Sequence, residues 1–506
     1  MLMRLAKKSL DLNNNLLFQI IASCCLGLLL GLICGWYSPM LAFGILIAIL
    51  LGYAILRKPE IAFLGILIAT SSIIYEDQLP RISVGISLHI ADIALLGLFG
   101  IIIVRWLVEQ DFKVVHTPLD WPLLIFFGIT LISSFIALYQ SSVAAEPVRR
   151  SIRVFSYYLT FFAVTNLVRE RRQLNFLLNG LFLISTIVAV AMILQFILGD
   201  SVQLLPGRVE TLTTQGTAYD DVTRILPPGW STVLVSFIVI LCMLVLEKPS
   251  PLLWLKLLQL GLLGLALVLT FLRSYWAALI VVLSLLVYLF RGNDRVRFIR
   301  GGLIVTLSTT IILLSVFSFP DSRATRLVSA SIDRLSTLGN SETFQGQDSS
   351  LNWRVIENEY AYSSIAEHPF IGLGMGVRYR PWDSRLDSRN PDGSVAIDGR
   401  SFIHNGHFRI LLQSGFIGYL SLIWFSLVFL LRGFGNWQKI ADNRMKATVL
   451  GFSLVYLAIL IAAVANSTFM QWRWIPLIGI MAGFNEVIFR WYCPPGTSNK
   501  NKAKNF

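Results

Sequence analysis

Charge is scarce in this chain. Only 14% of its 506 residues are Asp, Glu, Lys or Arg, against roughly a quarter in soluble domains. That excludes an ordinary water-soluble enzyme. Cysteine is scarce as well. Cys24, Cys25, Cys34, Cys242 and Cys493 form no CxxC pair and none lies in the longest polar stretch, so neither a disulfide framework nor a thiolate metal site can be read. His404 and His407 stand three apart at a helix start but have no close third ligand, so no metal and no cofactor is expected. No internal repeat is apparent.

What is abundant is hydrocarbon. Hydrophobic residues make up 55% of the chain. Mostly apolar runs recur throughout, each long enough to cross ~30 Å of bilayer core. The pattern predicts an all-α polytopic membrane protein of about 14 transmembrane helices, with a large outer loop containing short amphipathic helices. The predicted spans are 17–36, 39–56, 61–75, 90–108, 121–139, 152–168, 175–197, 229–247, 252–270, 274–290, 301–319, 405–431, 447–467 and 474–490. Arg4, Lys7 and Lys8 precede the first run. Its length and the lack of a small-residue cleavage site read as a retained helix rather than a signal peptide. The expected divisions are an N-terminal tail 1–16, a bundle of eleven spans over 17–319, an outer loop 320–403, three further spans over 404–490, and a tail 491–506.

Placing the N-terminus in the cytoplasm puts the basic connections inside, as the positive-inside rule requires. Both termini are then cytoplasmic. All eleven lysines fall on that side, and every basic residue left on the outer side is arginine. The net charge of +13 is therefore mostly a topology signal, and no nucleic-acid partner is expected. The outer arginines read as solvated, acid-paired residues, with a subset available to phosphate, which a guanidinium fork binds bidentately.

Three outer stretches stand out before the large loop. Arg149, Arg150 and Arg153 crowd the mouth of the sixth span; they suit snorkelling to lipid phosphates or an anionic substrate. Segment 198–228 carries Arg208 and Arg224 among Asp220 and Asp221 and reads as a lid or plug loop. Arg273 sits in the near-absent connection between spans nine and ten, where an ionisable residue is either functional or an interfacial arginine beside Tyr275 and Trp276.

The outer loop is the one long departure from the membrane pattern. Residues 324–338 show apolar positions at helical spacing. A second helix is predicted over 351–367, capped by Asp348-Ser349-Ser350 and ended by Pro369. Arg354, Glu357 and Asn358 share one of its faces. Residues 377–400 look irregular. Gly372-Leu373-Gly374-Met375-Gly376 lacks the spacing and the strand–helix context of a nucleotide loop; its glycines suit a chain that re-enters a packed site. His404, at the outer start of the twelfth span, suits a base acting on a hydroxyl near neutral pH, or a cap or core residue.

Together these motifs resemble the O-antigen ligase and Wzy-type polymerase superfamily of bacterial membrane glycosyltransferases. Thr270-x-x-Arg273 is similar to its outer Thr-x-Ser-Arg element. Arg354 followed by His368-Pro369-Phe370-Ile371-Gly372-Leu373-Gly374 resembles the arginine and Pro-x-x-Gly-x-Gly of its periplasmic loop. His404-Asn405 followed by Leu411 and Gly415-Phe416-Ile417-Gly418 resembles its histidine-asparagine motif. Leu272 departs from the usual serine, and Gln413-Ser414 stands where an acid is common.

The resemblance implies metal-independent transfer of a glycan from a polyprenyl-pyrophosphate-linked donor to a glycan or lipid acceptor hydroxyl. The reaction would take place on the outer face of a bacterial inner membrane. Arg273 and Arg354 would hold the pyrophosphate and His404 would be catalytic, with Arg400 and Asn405 supporting. Membrane lipids are the remaining expected partners. The competing classes are a solute or inorganic-carbon transporter of the same superfamily and a lipid-linked-glycan flippase. Either should show charge at mid-depth, where Glu486 is almost the sole candidate.

Overall fold

The computed structural model describes residues 27, 31, 52, 55–71, 82–84, 86–199, 202–205, 207–214, 217–248, 251, 253–319, 322–336, 349–389, 395–397 and 399–493. The chain divides into Met1–Ala62 and Phe63–Phe506, and the site lies in the second unit. Nearly all of the first two predicted spans lies outside the described residues.

In order the elements are α1 (Pro59–Ser71), the hairpin β1 (Ile82–Val84) and β2 (Ile86–Leu88), α2 (Ile90–Val108), α3 (Asp120–Tyr139), α4 (Ala145–Ser156), α5 (Thr160–Leu167) and α6 (Arg171–Leu198). A longer hairpin, β3 (Arg208–Thr214) and β4 (Thr217–Leu226), precedes α7 (Trp230–Leu246), α8 (Leu253–Leu269), α9 (Arg273–Leu289) and α10 (Gly292–Phe317). The polar insertion between α10 and the next long helix supplies α11 (Arg323–Ser336), α12 (Ser349–Glu367) and the short pair β5 (Ser388–Arg389) and β6 (Val395–Ile397). Three helices close the chain: α13 (Gly406–Asn436), α14 (Asn443–Ala462) and α15 (Ile475–Tyr492).

Among the described residues six helices are long and apolar enough to cross a membrane: α2, α3, α6, α10, the α13 helix and α14. The α7, α8 and α9 helices are equally apolar at 17 residues each, or about 25 Å at 1.5 Å per residue. The expected count of fourteen is thus matched in part. The predicted sixth span is not one helix: α4, a 3-10 turn at Tyr157–Leu159 and the eight-residue α5 take its place. The cause is local. Glu146, Arg149, Arg150 and Arg153 make α4 amphipathic, whereas α5 is buried almost all round and relies on protein rather than lipid neighbours. The strands were not foreseen either.

The core is built on α7, α14, α15 and α5. Most residues of α7, α14 and α15 are buried, with α14 against α7 and α15 against α5. Small residues permit these approaches: a Cβ on Gly451 would meet Val239 at 2.8 Å, and one on Gly483 would meet Val164 at 2.7 Å. On one flank α6, α7 and α8 pack together, and on another α13 packs on α3. By contrast, α10 buries no residue fully and touches its neighbours only lightly, so most of its apolar surface is exposed.

One end of the bundle collects the features relevant to function. Trp230, Tyr275 and Trp474 join the starts of α7, α9 and α15, with centroids 4.6 to 5.7 Å apart. The β3–β4 hairpin and α11 sit at this end over a small core of Leu212, Val222, Phe271 and Ala330. The opposite end carries the bidentate Arg432–Glu486 pair, both bonds 2.8 Å. Glu486 thus has a structural partner.

The longest helix is broken. Gly415 inside α13 has φ 61° and ψ −168°, so the ladder of peptide hydrogen bonds is interrupted there. Residues 369–374 fill the break. The amides of Leu373 and Gly374 donate to the carbonyls of Leu412 (2.6 Å) and Gln413 (3.2 Å), and those of Phe416 and Ile417 donate to Pro369 (2.7 Å) and Phe370 (3.2 Å). An unsatisfied peptide group in hydrocarbon costs several kcal/mol, so this exchange is what makes the break tolerable. It also explains the Pro-x-x-Gly-x-Gly pattern. Gly372 and Gly374 have φ of 77° and 91°, and the side where each would carry a side chain lies against backbone. A Cβ on Gly372 would stand 2.6 Å from the Gly415 amide nitrogen, and one on Gly374 would stand 2.8 Å from the Ser133 carbonyl oxygen. The expected re-entry of this glycine run into a packed site is what the structure shows.

Gly415→Ala would place its Cβ 2.3 Å from the Phe370 carbonyl at a positive φ. The expected loss is about 3 kcal/mol or more, read as a lower unfolding midpoint in detergent. Gly128→Ala, whose Cβ would meet nothing within 4 Å, should leave the midpoint unchanged or slightly higher.

Candidate active site

His404 is held by a carboxylate that the sequence reading placed on a helix face but did not assign to the site. Glu357, on α12, lies with an oxygen 2.9 Å from His404 Nδ1, and it also accepts the His404 backbone amide at 3.0 Å. The Glu357 side chain is 7% exposed and that of His404 is 35% exposed. The carboxylate therefore fixes both the main chain and the ring. With Nδ1–H donating to Glu357, the lone pair is left on Nε2, a tautomer assigned from the hydrogen-bond network. The Phe402 ring packs edge-on against the imidazole at 5.0 Å.

The same helix carries Arg354 one turn before Glu357, so the two share a face. Asn405 is the N-cap of α13: its Oδ1 accepts the amides of His407 and Phe408, each at 3.1 Å. This is capping in the usual sense, and it fixes where the helix starts behind His404. Arg400 lies with its guanidinium over the Trp382 ring at 5.8 Å, and its carbonyl accepts the Tyr379 amide. Burial, then the nearby Glu357 charge, push the Tyr379 hydroxyl well above its usual range, so it stays protonated.

Arg273 arrives by a different route. The α8–α9 connection is a tight turn in which Phe271 has φ 50°, a strained conformation for a bulky residue. Thr270 braces it by accepting the Leu272 amide on its hydroxyl at 3.4 Å. Arg224 of β4 braces it from above, donating to the Thr270 carbonyl at 3.3 Å. Burial, then the charges of Arg334 and Arg208, lower the Arg224 pKa to about 10. Arg273 is thereby set as the first residue of α9.

Segment 463–467 links the two turns. Asn466 donates its side-chain amide to Ser274, next to Arg273. The Gly406 amide, two residues after His404, donates to Ala463 at 2.7 Å. Arg409, one turn further along α13, donates to the Ser467 hydroxyl at 2.6 Å and lies over the Phe402 ring at 5.3 Å. Its guanidinium has no carboxylate partner among the described residues. The structure thus brings the Arg273 turn and the His404 turn to one short connector, and it bonds His404 to Glu357 of the helix that carries Arg354.

The loop beneath is rigidified by ion pairs. Arg380 and Asp387, with side chains 1% and 0% exposed, are bonded at 2.6 and 2.9 Å. Asp387 also accepts the amides of Asp383 (3.1 Å) and Gly399 (3.2 Å), tying residues 380–387 to the strand that leads to Arg400. Burial opposes the Asp387 charge, but the Arg380 guanidinium and the two amides outweigh it and hold the carboxyl below its usual range.

Other candidates fall away from this constellation. Arg149 and Arg150 pair with Glu146, and Arg153 lies 3.4 Å from Asp92. His407 is engaged through Nε2 with the Leu460 carbonyl (3.1 Å) and through Nδ1 with Tyr419 (3.2 Å). Among the described residues no cluster of His, Cys, Asp and Glu could hold a metal ion. Sequence reasoning named Arg224 only as part of a lid loop and missed Arg409 and Asn466. The helical spacing of Glu357 from Arg354 and of Arg409 from His404–Asn405 was an available signal; nothing in the sequence marked Asn466.

The fold and the site define a polytopic helical membrane protein whose ionisable constellation is assembled at one end of the bundle by an inserted loop. Residues 258–423 match the family model for O-antigen ligase, a stretch that contains Arg273, Arg354, Glu357, Arg400, His404, Asn405 and Arg409. This supports the O-antigen ligase/Wzy-type superfamily that the motifs resemble, a family of membrane glycosyltransferases. The chain matches no curated protein.

Asp387→Asn would leave Arg380 buried without its countercharge, at a cost of about 3–5 kcal/mol. The folded-state pKa of Asp387 is depressed, so its contribution is present above the unfolded value of about 3.9 and is lost as pH falls through the folded value. In hydrogen exchange, the Asp383 and Gly399 amides should be protected at neutral pH. They should keep that protection through the ordinary carboxylate range and lose it only at lower pH, as the pH falls through the lowered folded-state value of Asp387.

Proposed function

We propose that the protein transfers a glycan from a polyprenyl-pyrophosphate carrier to an acceptor hydroxyl on the outer face of the membrane. The observation that carries this reading is the Glu357–His404 pair, in which one buried carboxylate holds the amide and Nδ1 of a part-exposed histidine. His404 Nε2 takes the proton of the acceptor hydroxyl as its oxygen attacks the anomeric carbon. The carbon–oxygen bond to the pyrophosphate breaks, and the electron pair leaves with the carrier lipid. Glu357 positions the ring and stabilises the imidazolium, as carboxylates do for catalytic histidines elsewhere.

Arg273 and Arg354 hold the pyrophosphate, where fixed cations stabilise the charge that grows on the leaving group. Arg273 stands at a helix start, whose amides also favour an anion. Arg409 is a third cation for the same group, and Asn405 and Arg400 act as supports, the first by capping α13. Such a site needs no metal, because the leaving group is already a stabilised anion and the arginines supply the countercharge.

In a strain deleted for its own copy, wild type should restore the glycan profile. His404→Ala should lower transfer by about 10²–10⁴-fold, the usual worth of a general base. Glu357→Gln should lower kcat with the donor KM little changed, whereas Arg354→Lys should raise the donor KM through loss of the planar fork. Gel analysis then separates subclasses: long chains stranded on carrier lipid indicate a ligase, single repeat units a polymerase. A normal profile with His404→Ala and Arg354→Ala would sink the transferase reading.

A further inference from the structure

At the end of the bundle away from His404, α6, α7 and α8 enclose a crevice of about 480 Å³. Its walls are mostly apolar, Phe182, Leu183, Ile240, Met243, Leu258 and Leu262, with Gln259 donating to Thr186 among them. Leu183 and Leu258 are 62% and 53% exposed, so the crevice opens sideways to the hydrocarbon. Its polar end holds Lys256, ion-paired with Glu247, and Arg444, which donates to the Asn179 side chain.

Arg444 is the unexplained group. It lies on the first turn of α14, its Nε is buried with no hydrogen-bond partner, and it has no carboxylate partner among the described residues. Lys256 and Glu247 cancel, which leaves the crevice mouth with one net positive charge. Arg444 is only part-buried and already donates to Asn179 at an exposed position, so what a ligand can reach is a cation without a countercharge at an apolar mouth, and the chemistry that suits it is specific. The ligand needs an anionic oxygen group at one end and a hydrocarbon chain to lie along the leucines. Basic pockets between membrane helices take lipid headgroups for this reason.

We propose that this crevice binds an anionic glycerophospholipid, with its phosphate on Arg444 and Lys256 and one acyl chain between α6, α7 and α8. The site is separate from the transfer site. Arg444 and the His404 connector lie at opposite ends of α14, whose 20 residues span about 30 Å. One phosphate cannot serve both ends, so the occupant belongs to the other leaflet and the inference does not depend on the transfer reading. The lipid would clamp α8 to α6 and α7 and so brace the helix that leads into the Arg273 turn.

The test is native mass spectrometry of the delipidated full chain in detergent. It is titrated separately with phosphatidylglycerol, phosphatidylcholine and inorganic phosphate. Wild type should take one phosphatidylglycerol at least ten times more tightly than phosphatidylcholine, and millimolar phosphate should not displace it. Arg444→Gln should lose about tenfold or more of the phosphatidylglycerol affinity while leaving phosphatidylcholine unchanged. Leu262→Trp, which fills the crevice, should weaken both lipids. Lys439→Gln, a cation outside the crevice that bonds Asn436, should change nothing. Equal phosphatidylglycerol binding by wild type, Arg444→Gln and Leu262→Trp would overturn the proposal, as would displacement by phosphate alone, which would mean an ion site without a lipid.

Discussion

A peptide group in hydrocarbon must be paired, and the architecture around the candidate site follows from meeting that constraint at one place. The α13 helix is interrupted at Gly415, which frees carbonyls at Leu412 and Gln413 and amides at Phe416 and Ile417. Residues 369–374 complete all four. The inserted loop is therefore not appended to the bundle; its middle completes the hydrogen bonding of a helix long and apolar enough to cross a membrane. Because the plug begins two residues after α12 ends, the same contact fixes the base of α12 and with it Arg354 and Glu357.

From that anchor the remaining geometry is short-range. Glu357 reaches His404, two residues before α13, Asn405 caps the helix, and the Arg380–Asp387 pair holds the strand that leads to Arg400. On the other flank, the strained Phe271 turn sets Arg273 at the start of α9, and Arg224 reaches down from the hairpin to hold that turn. The arginines of the site come from separate parts of the chain. Positive charges repel one another, so each is fixed by its own local device. Arg273 is set by its turn and Arg409 by Ser467, while Arg354 is carried by α12, whose end leads into the plug.

Much of this was legible in the sequence, for physical reasons. Apolar runs showed most helices from α2 onward within a few residues, because lipid imposes length and composition on anything that crosses it. The amphipathic α11 and the Pro-terminated α12 were equally readable. The sixth span was misread because α5 is as apolar as a lipid-facing helix, and composition does not distinguish burial in protein from burial in lipid. The β3–β4 hairpin was missed because its neighbours, Phe271 and Ala330, lie far away in sequence. His404, Arg354 and Arg273 could be named from motifs. Glu357 was seen on the right face, but its partner lies 47 residues away and no local pattern encodes that meeting. The glycine run was read correctly as re-entrant, although its docking site, a gap in a helix, leaves no mark beyond Gly415 itself.

The double hold of Glu357 has a consequence for timing. One carboxylate grips both the backbone and the ring of His404, so the placement of α12 and the tautomer of the imidazole are a single variable. With α12 seated the imidazole is held and an anion lies beside it; with α12 displaced it has neither. On the transferase reading, reactive competence would then be coupled to loop assembly, and an activated donor would meet a working base only once its surroundings were complete. Premature attack by water would be restrained by the order of assembly rather than by a separate barrier.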